Sequence, residues 1–171
     1  DAVMLSGETA NGNYPVESVR TLHDICVAVE QSREYKEITR NRFFSFARSD
    51  NMSTAIARAA YDVAEDIAAA AILTPTLRGT TARLISVYRP EPVILAATTS
   101  PTIQRRLLLY WGIYPLLVGF ADDSERMIQQ AVQAARHKGY LKRFDKIVVA
   151  AGVPVNSPII MNMVKILVLG T

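Results

Sequence analysis

Apolar positions along this chain change their period several times, and each change marks the edge of an element. Asp1-Ala2-Val3-Met4-Leu5 is apolar on both faces, as a buried strand would be. The loop Ser6-Gly7-Glu8-Thr9-Ala10-Asn11-Gly12-Asn13-Tyr14-Pro15 follows, with a proline placed to open a helix. From Val16 the period is helical: Val19, Leu22, Cys26 and Val29 form one stripe, and the helix continues as a charged stretch towards Arg40. Residues 40–51 keep no period and end in capping residue types, which predicts a domain boundary separating residues 1–45 from 46–171.

Past that boundary, strands and helices alternate. Ile56, Ala59, Ala60, Val63 and Ile67 mark an alanine-rich helix, and Ala70-Ala71-Ile72-Leu73 a short buried strand. A Gly/Thr loop leads to a helix carrying Leu84, Ile85 and Tyr88, stopped by Arg89-Pro90-Glu91-Pro92 before the strand Val93-Ile94-Leu95-Ala96. Ser100-Pro101 caps the next helix, which carries Ile103 and Leu107, and residues 114–118 form a third strand. Asp122-Asp123-Ser124-Glu125 opens a helix with Met127, Ile128, Ala131, Val132 and Ala135 inside, closed by Arg136-His137-Lys138-Gly139. Residues 146–150 and 164–169 are the last two strands, with too little chain between them for a crossover helix. The prediction is an α/β fold: a mostly parallel five-stranded sheet with helices on both faces and an antiparallel last strand at an edge. The strand at residues 1–5 has no neighbour in this sequence, so the chain reads as a piece of something longer.

Composition narrows the function classes. Half of the 171 residues are apolar and a fifth are charged, the balance of a folding globular chain. No apolar run approaches the ~20 residues of a membrane span and no leader pattern opens the chain, so a cytoplasmic protein without membrane partners is expected. Cys26 is the single cysteine, which allows no internal disulfide and reads as an inert thiol. A net charge of +3 without a basic cluster interleaved with aromatics gives no footprint for nucleic acid and leaves small anions as candidate partners.

Candidate chemistry concentrates in Thr74-Pro75-Thr76-Leu77-Arg78-Gly79-Thr80-Thr81-Ala82-Arg83, between a buried strand and a helix start. Free N–H groups there would bond a phosphate, Thr76, Thr80 and Thr81 would add hydroxyls, and Arg78 a fork of donors. The alternative is structural: Thr80 or Thr81 caps the helix, Gly79 relieves a tight turn and Arg78 is solvated. His23 and His137 lie far apart; His137 suits a cation at a helix C-terminus, and His23 beside Cys26 makes a weak catalytic pair. Asp1 and Glu8 are carboxylates without further ligands near them in sequence, so no metal is assigned.

Several motifs in order resemble the pyruvate kinase family. They are Asp1-Ala2-Val3-Met4-Leu5-Ser6-Gly7-Glu8-Thr9-Ala10 with Gly12 and Tyr14-Pro15-Val16-Glu17, then Thr80-Thr81-Ala82-Arg83 with Tyr88-Arg89-Pro90. Arg105-Arg106-Leu107 with Trp111-Gly112-Ile113, and Ala151-Gly152-Val153-Pro154-Val155, complete the likeness, which is to bacterial members. The resemblance implies that residues 1–45 are the last strand, loop and helix of a TIM barrel, and residues 46–171 the regulatory domain. It implies phosphoryl transfer between phosphoenolpyruvate and ADP, with magnesium and usually potassium, in a tetrameric enzyme. The acid/base lysine and the metal carboxylates would lie upstream, so the segment as such is expected to be inactive and to hold no cofactor. Ser6, Gly7, Glu8 and Thr9 match the loop at the barrel mouth.

The resemblance further implies a sugar phosphate or nucleotide effector at Thr76, Arg78, Gly79, Thr80 and Thr81. Two departures modify that expectation. Arg78 replaces the usual serine, and the second effector loop reads Asn156-Ser157-Pro158-Ile159-Ile160-Met161-Asn162, keeping its ending only at Asn162. Loss of glycines and of donors there argues against a two-phosphate ligand and for a single phosphate near Arg78, or for none. A purely structural assembly domain that has lost effector binding is the alternative.

Overall fold

The computed structural model describes residues 1–44, 51–153 and 161–170, and the chain divides into two compact units, Asp1–Arg48 and Ser49–Thr171. In the first unit residues 1–5 form no strand, contrary to the pattern, and Met4 is 88% exposed. A strand of this kind exists by pairing with neighbours, and none of the described strands pairs with it. Helix α1 (Gly7–Ala10) is a single turn, and α2 (Pro15–Gln31) begins on the expected proline. The charged continuation is a separate helix, α3 (Arg33–Phe44), because Ser32 turns extended and its Oγ accepts the Tyr35 N–H at 3.1 Å. No residue of α2 is fully buried, and its apolar stripe is only partly covered: Leu22 and Cys26 are half-buried, while Val19 and Val29 are exposed.

The second unit opens with α4 (Met52–Asp66), whose first N–H groups at Ser53 and Thr54 are accepted by the Asn51 side chain. Strand β1 (Ala71–Pro75), helix α5 (Thr80–Ser86), strand β2 (Val93–Thr98), helix α6 (Pro101–Leu107) and strand β3 (Ile113–Leu117) follow. Helix α7 (Ser124–His137) then leads to β4 (Lys146–Ala151) and β5 (Met163–Val168). The sheet order is β3-β2-β1-β4-β5; the pairs among the first four strands are parallel, and β5 runs antiparallel to β4 at the edge, as expected.

Side-chain alternation sorts the core into two layers. Ala71, Leu73, Leu95, Ala97, Ile147 and Val149 pack with Ile128, Ala131 and Ala135 of α7. The intervening residues Ile72, Ile94, Ala96 and Val148, equally buried, face the other side. There α4 packs on α5 and on the sheet, and its buried residues Ala57, Ala60 and Ala64 are small enough to admit a close approach. The steps β1 to β2 and β2 to β3 run the same way across the sheet, so right-handed crossovers place α5 and α6 on one face, while the return to β4 puts α7 on the other. At the β3 edge, Val118 N–H donates to Thr98 and Ile94 N–H to Gly112, so the alternate position Pro115 turns its backbone outward, where no ladder N–H is required.

Candidate functional site

Strands β1 and β4 are parallel neighbours, yet the chain leaves β1 towards β2 and reaches β4 on β1's other side. This is the switch point of the sheet, where ligands of open α/β sheets bind beyond the strand C-termini. Two strand ends meet there: Thr76 to Gly79 follow β1, and residues 152 and 153 follow β4, with residues 154–160 outside the described residues.

The first loop is pinned at both ends. Thr76 N–H donates to Ala97 O at 2.8 Å, and the buried Thr76 Oγ1 accepts the Gly79 N–H at 2.9 Å. Gly79 adopts the left-handed conformation, with φ 81°, and its open side rests on α6: a Cβ would lie 2.9 Å from Leu107 Cδ2. Gly79 is also the N-cap of α5 and, having no side chain, leaves the start of that helix without a side-chain acceptor. The first backbone bond into the helix runs from Arg83 N–H to Gly79 O, beyond the N–H groups of Thr80, Thr81 and Ala82. Arg78 and Thr80 are exposed and Thr81 is half-buried. The loop therefore brings Arg78, Thr80 and Thr81 to one uncapped helix end, while Thr76 is a brace rather than a surface hydroxyl.

Asn156 and Ser157 of the second loop lie outside the described residues. Asn162 closes the base of that loop: its Oδ1 accepts the Val153 N–H at 2.9 Å, its Nδ2 donates to Val153 O at 3.0 Å, and its own N–H donates to Ala151 O. That pairing occupies its side-chain amide.

Ser6, Gly7, Glu8 and Thr9 form one local turn in the first unit. Glu8 Oε2 accepts the Ser6 N–H at 3.0 Å, and Thr9 Oγ1 donates to Ser6 O at 3.2 Å. Hydrogen bonds from the Glu8 and Ser6 backbone hold the Glu8 carboxyl below the usual glutamate value. An open depression of about 590 Å³ lies beside this turn, lined by Thr9, Pro15, Val16, Val19, Arg20 and His23. His23 thus lines a surface hollow. No group of three or more His, Cys, Asp or Glu among the described residues could hold a metal ion, and no helix searched is long and apolar enough to cross a membrane.

Thr74 was not singled out by its sequence context beyond membership of the loop segment, yet it is fully buried and its Oγ1 has no hydrogen-bond partner. It lies two residues before Thr76 in β1, beside Ala96 in the register.

Residues 54–167 match the family model described as "Pyruvate kinase, alpha/beta domain". The chain belongs to the pyruvate kinase family. It is 39% identical to a pyruvate kinase of Geobacillus stearothermophilus over 166 residues, 97% of this chain and 28% of that protein. It is 37% identical to one of Clostridium acetobutylicum, over 97% of this chain and 35% of that protein. A third, of Lactobacillus delbrueckii subsp. bulgaricus, is 35% identical over 99% of this chain and 29% of its own length. The chain thus spans about a third or less of these pyruvate kinases. The alpha/beta match contains both switch-point loops and omits the Ser6 to Thr9 turn, which lies within the part shared with the full-length relatives.

Proposed function

We propose that this chain is the allosteric and assembly portion of a pyruvate kinase, and that it binds a single phosphate group of an effector at Arg78, Thr80 and Thr81. The observation that carries the reading is the uncapped start of α5 at the switch point: the first helix N–H groups have no side-chain acceptor, a partial positive charge gathers there, and the exposed Arg78 immediately precedes the cap residue Gly79. Gly79 N–H is already committed to Thr76, which leaves fewer donors than a two-phosphate ligand would use. Binding would bias subunit orientation through differential affinity for two states of a homotetramer.

The parent enzyme would transfer a phosphoryl group between phosphoenolpyruvate and ADP, in the cytoplasm, using magnesium and potassium. The described residues offer no acidic cluster for these ions, and no residue of this chain is assigned to them. The segment as such is expected to be inactive.

Calorimetric titration with glucose 6-phosphate, ribose 5-phosphate, AMP and fructose bisphosphate tests the effector reading. Binding of at least one monophosphate, abolished by Arg78→Glu, is expected. If none binds, or if Arg78→Glu leaves binding untouched, the effector role is wrong. An assembly role without effector is the second reading, favoured by the exposed Ile166 and Val168 on edge strand β5. It predicts effector-independent kinetics of the full enzyme and dissociation when these residues are made polar.

A further inference from the structure

At the opposite end of the sheet from the switch point, three elements converge. Arg136 stands in the last turn of α7, Arg143 in the turn before β4, and Gly170 just after β5. A Cβ on Gly170 would lie 3.4 Å from Arg143 Nε and 3.6 Å from Arg136 Nη2, so both guanidinium groups face the same small volume above this glycine. Gly170 is left-handed, with φ 84°, and a side chain there would also meet Arg143 Cγ at 2.8 Å.

Like charges converge at a cost unless something of opposite sign stands between them. Among the described residues, no ion pair involves either arginine. Asp145 is the one acid from 136 to 146, against Arg136, Lys138, Lys142, Arg143 and Lys146, and its Oδ2 already accepts the Lys142 N–H that closes the turn. The helix end supplies part of an explanation for Arg136, since cations are favoured there. The carbonyls of Ala134, Ala135 and Arg136, however, accept from the backbone N–H groups of Lys138, Tyr140 and Gly139, so neither side chain is needed as a cap.

Arg143 also rests on a ring. Its Cζ lies 4.7 Å from the centroid of the Phe144 ring, and the Phe144 N–H is tied to Leu169 O at 2.6 Å. Two guanidinium forks side by side are an arrangement that suits an oxyanion with several acceptor oxygens.

We propose that Arg136 and Arg143 form an oxyanion site over Gly170 that takes a phosphate-sized dianion, separate from the loop at Arg78. The ligand bridges the two guanidinium groups, and Lys142 and Lys138 add to the field that attracts it.

The test is a titration of inorganic phosphate into the chain at low ionic strength, followed through backbone amide resonances. Saturable millimolar shifts at Arg143 and Gly170 are expected, absent when chloride is added at matched ionic strength. Acetate, a monoanion with fewer acceptor oxygens, is expected to shift the same resonances more weakly. Arg136→Gln and Arg143→Gln, both at exposed positions, should each weaken this response about tenfold or more. Arg78→Glu should leave it unchanged, which separates this site from the effector loop. Absence of saturable shifts at Gly170, or an unchanged midpoint in both glutamine variants, overturns the proposal.

Discussion

Gly79 rests on Leu107 so closely that the first atom of any side chain at position 79 would stand 2.9 Å from Leu107 Cδ2, in a backbone conformation of φ 81°. Two separate penalties therefore guard this glycine, one of backbone and one of contact.

Gly79→Ala should destabilise the second unit by about 1–3 kcal/mol, from the left-handed backbone and the clash together. Leu107→Ala alone should cost about 2–5 kcal/mol through the cavity it leaves. The double variant should be less destabilised than the two losses added, because the shortened side chain removes the clash but not the φ penalty. Urea unfolding followed by the fluorescence of Trp111, the single tryptophan, reads all four proteins. Strict additivity would mean that the contact carries no strain.

Thr74 and Thr76 should respond with opposite signs to the same change. Thr74→Val removes a buried hydroxyl that bonds to nothing, so stability should hold or rise by up to about 1 kcal/mol. Thr76→Val strips the Gly79 N–H of its acceptor and should cost about 1–3 kcal/mol, whereas Thr76→Ser, which keeps the accepting hydroxyl, should avoid most of that loss. Denaturant midpoints for the three variants decide the matter.

Tyr88 is 4% exposed, stacks on Tyr61 with ring centroids 5.7 Å apart, and donates to Thr54 O at 3.4 Å. Burial pushes its phenol above the usual tyrosine value, with Arg58 opposing and Asp62 reinforcing the shift. The folded state then keeps a proton that the unfolded chain releases. Stability is unaffected well below pH ~10 and falls as pH rises from there through the folded value. Tyrosinate absorbance should show a late-titrating component that Tyr88→Phe removes, and the alkaline loss of stability should shrink with it.

Lys165 Nζ of β5 lies 3.0 Å from Glu125 Oε2 at the start of α7, with both side chains largely in water. Glu125→Gln should change stability by less than about 1 kcal/mol, and the difference should shrink as salt is raised from 0.05 to about 1 M. A large, salt-insensitive loss would show that the link holds β5 in place.

The sheet was legible because its rules are local and repeated. Ile72-Leu73, Ile94-Leu95 and Val148-Val149 are apolar on both faces, as strands covered on two sides must be, and the short link before β5 ruled out a parallel return. The capping residues Ser100 and Asp123 open α6 and α7 as their types suggest. Residues 1–5 misled because an apolar pattern states what a strand would bury, not whether partners are there to bury it. Ser32 was missed because a single serine inside a helical pattern looks like an ordinary polar position until its side chain turns to cap the next helix.

The loop after β1 was legible as a turn before a helix, and less so in detail. Gly79 and the threonines around it announce a turn before a helix, but nothing in their spacing says that Thr76 faces inward and takes the Gly79 N–H. Asn162 has the same history: its side chain is committed to both backbone groups of Val153, a pairing across nine residues that no local pattern encodes. Arg136 and Arg143 each look like surface charges, and their convergence depends on where Gly170 returns after β5.

The outward-facing Pro115 gives the sheet two unlike margins. An incoming strand laid against β3 would meet a ring where it needs a donor, whereas β5 presents an uninterrupted backbone with Ile166 and Val168 exposed beside it. Crowded chains of this protein would therefore grow ordered or disordered clusters from one margin, and a charged residue placed at Ile166 would raise the concentration the protein tolerates in solution far more than the same charge placed at Tyr114.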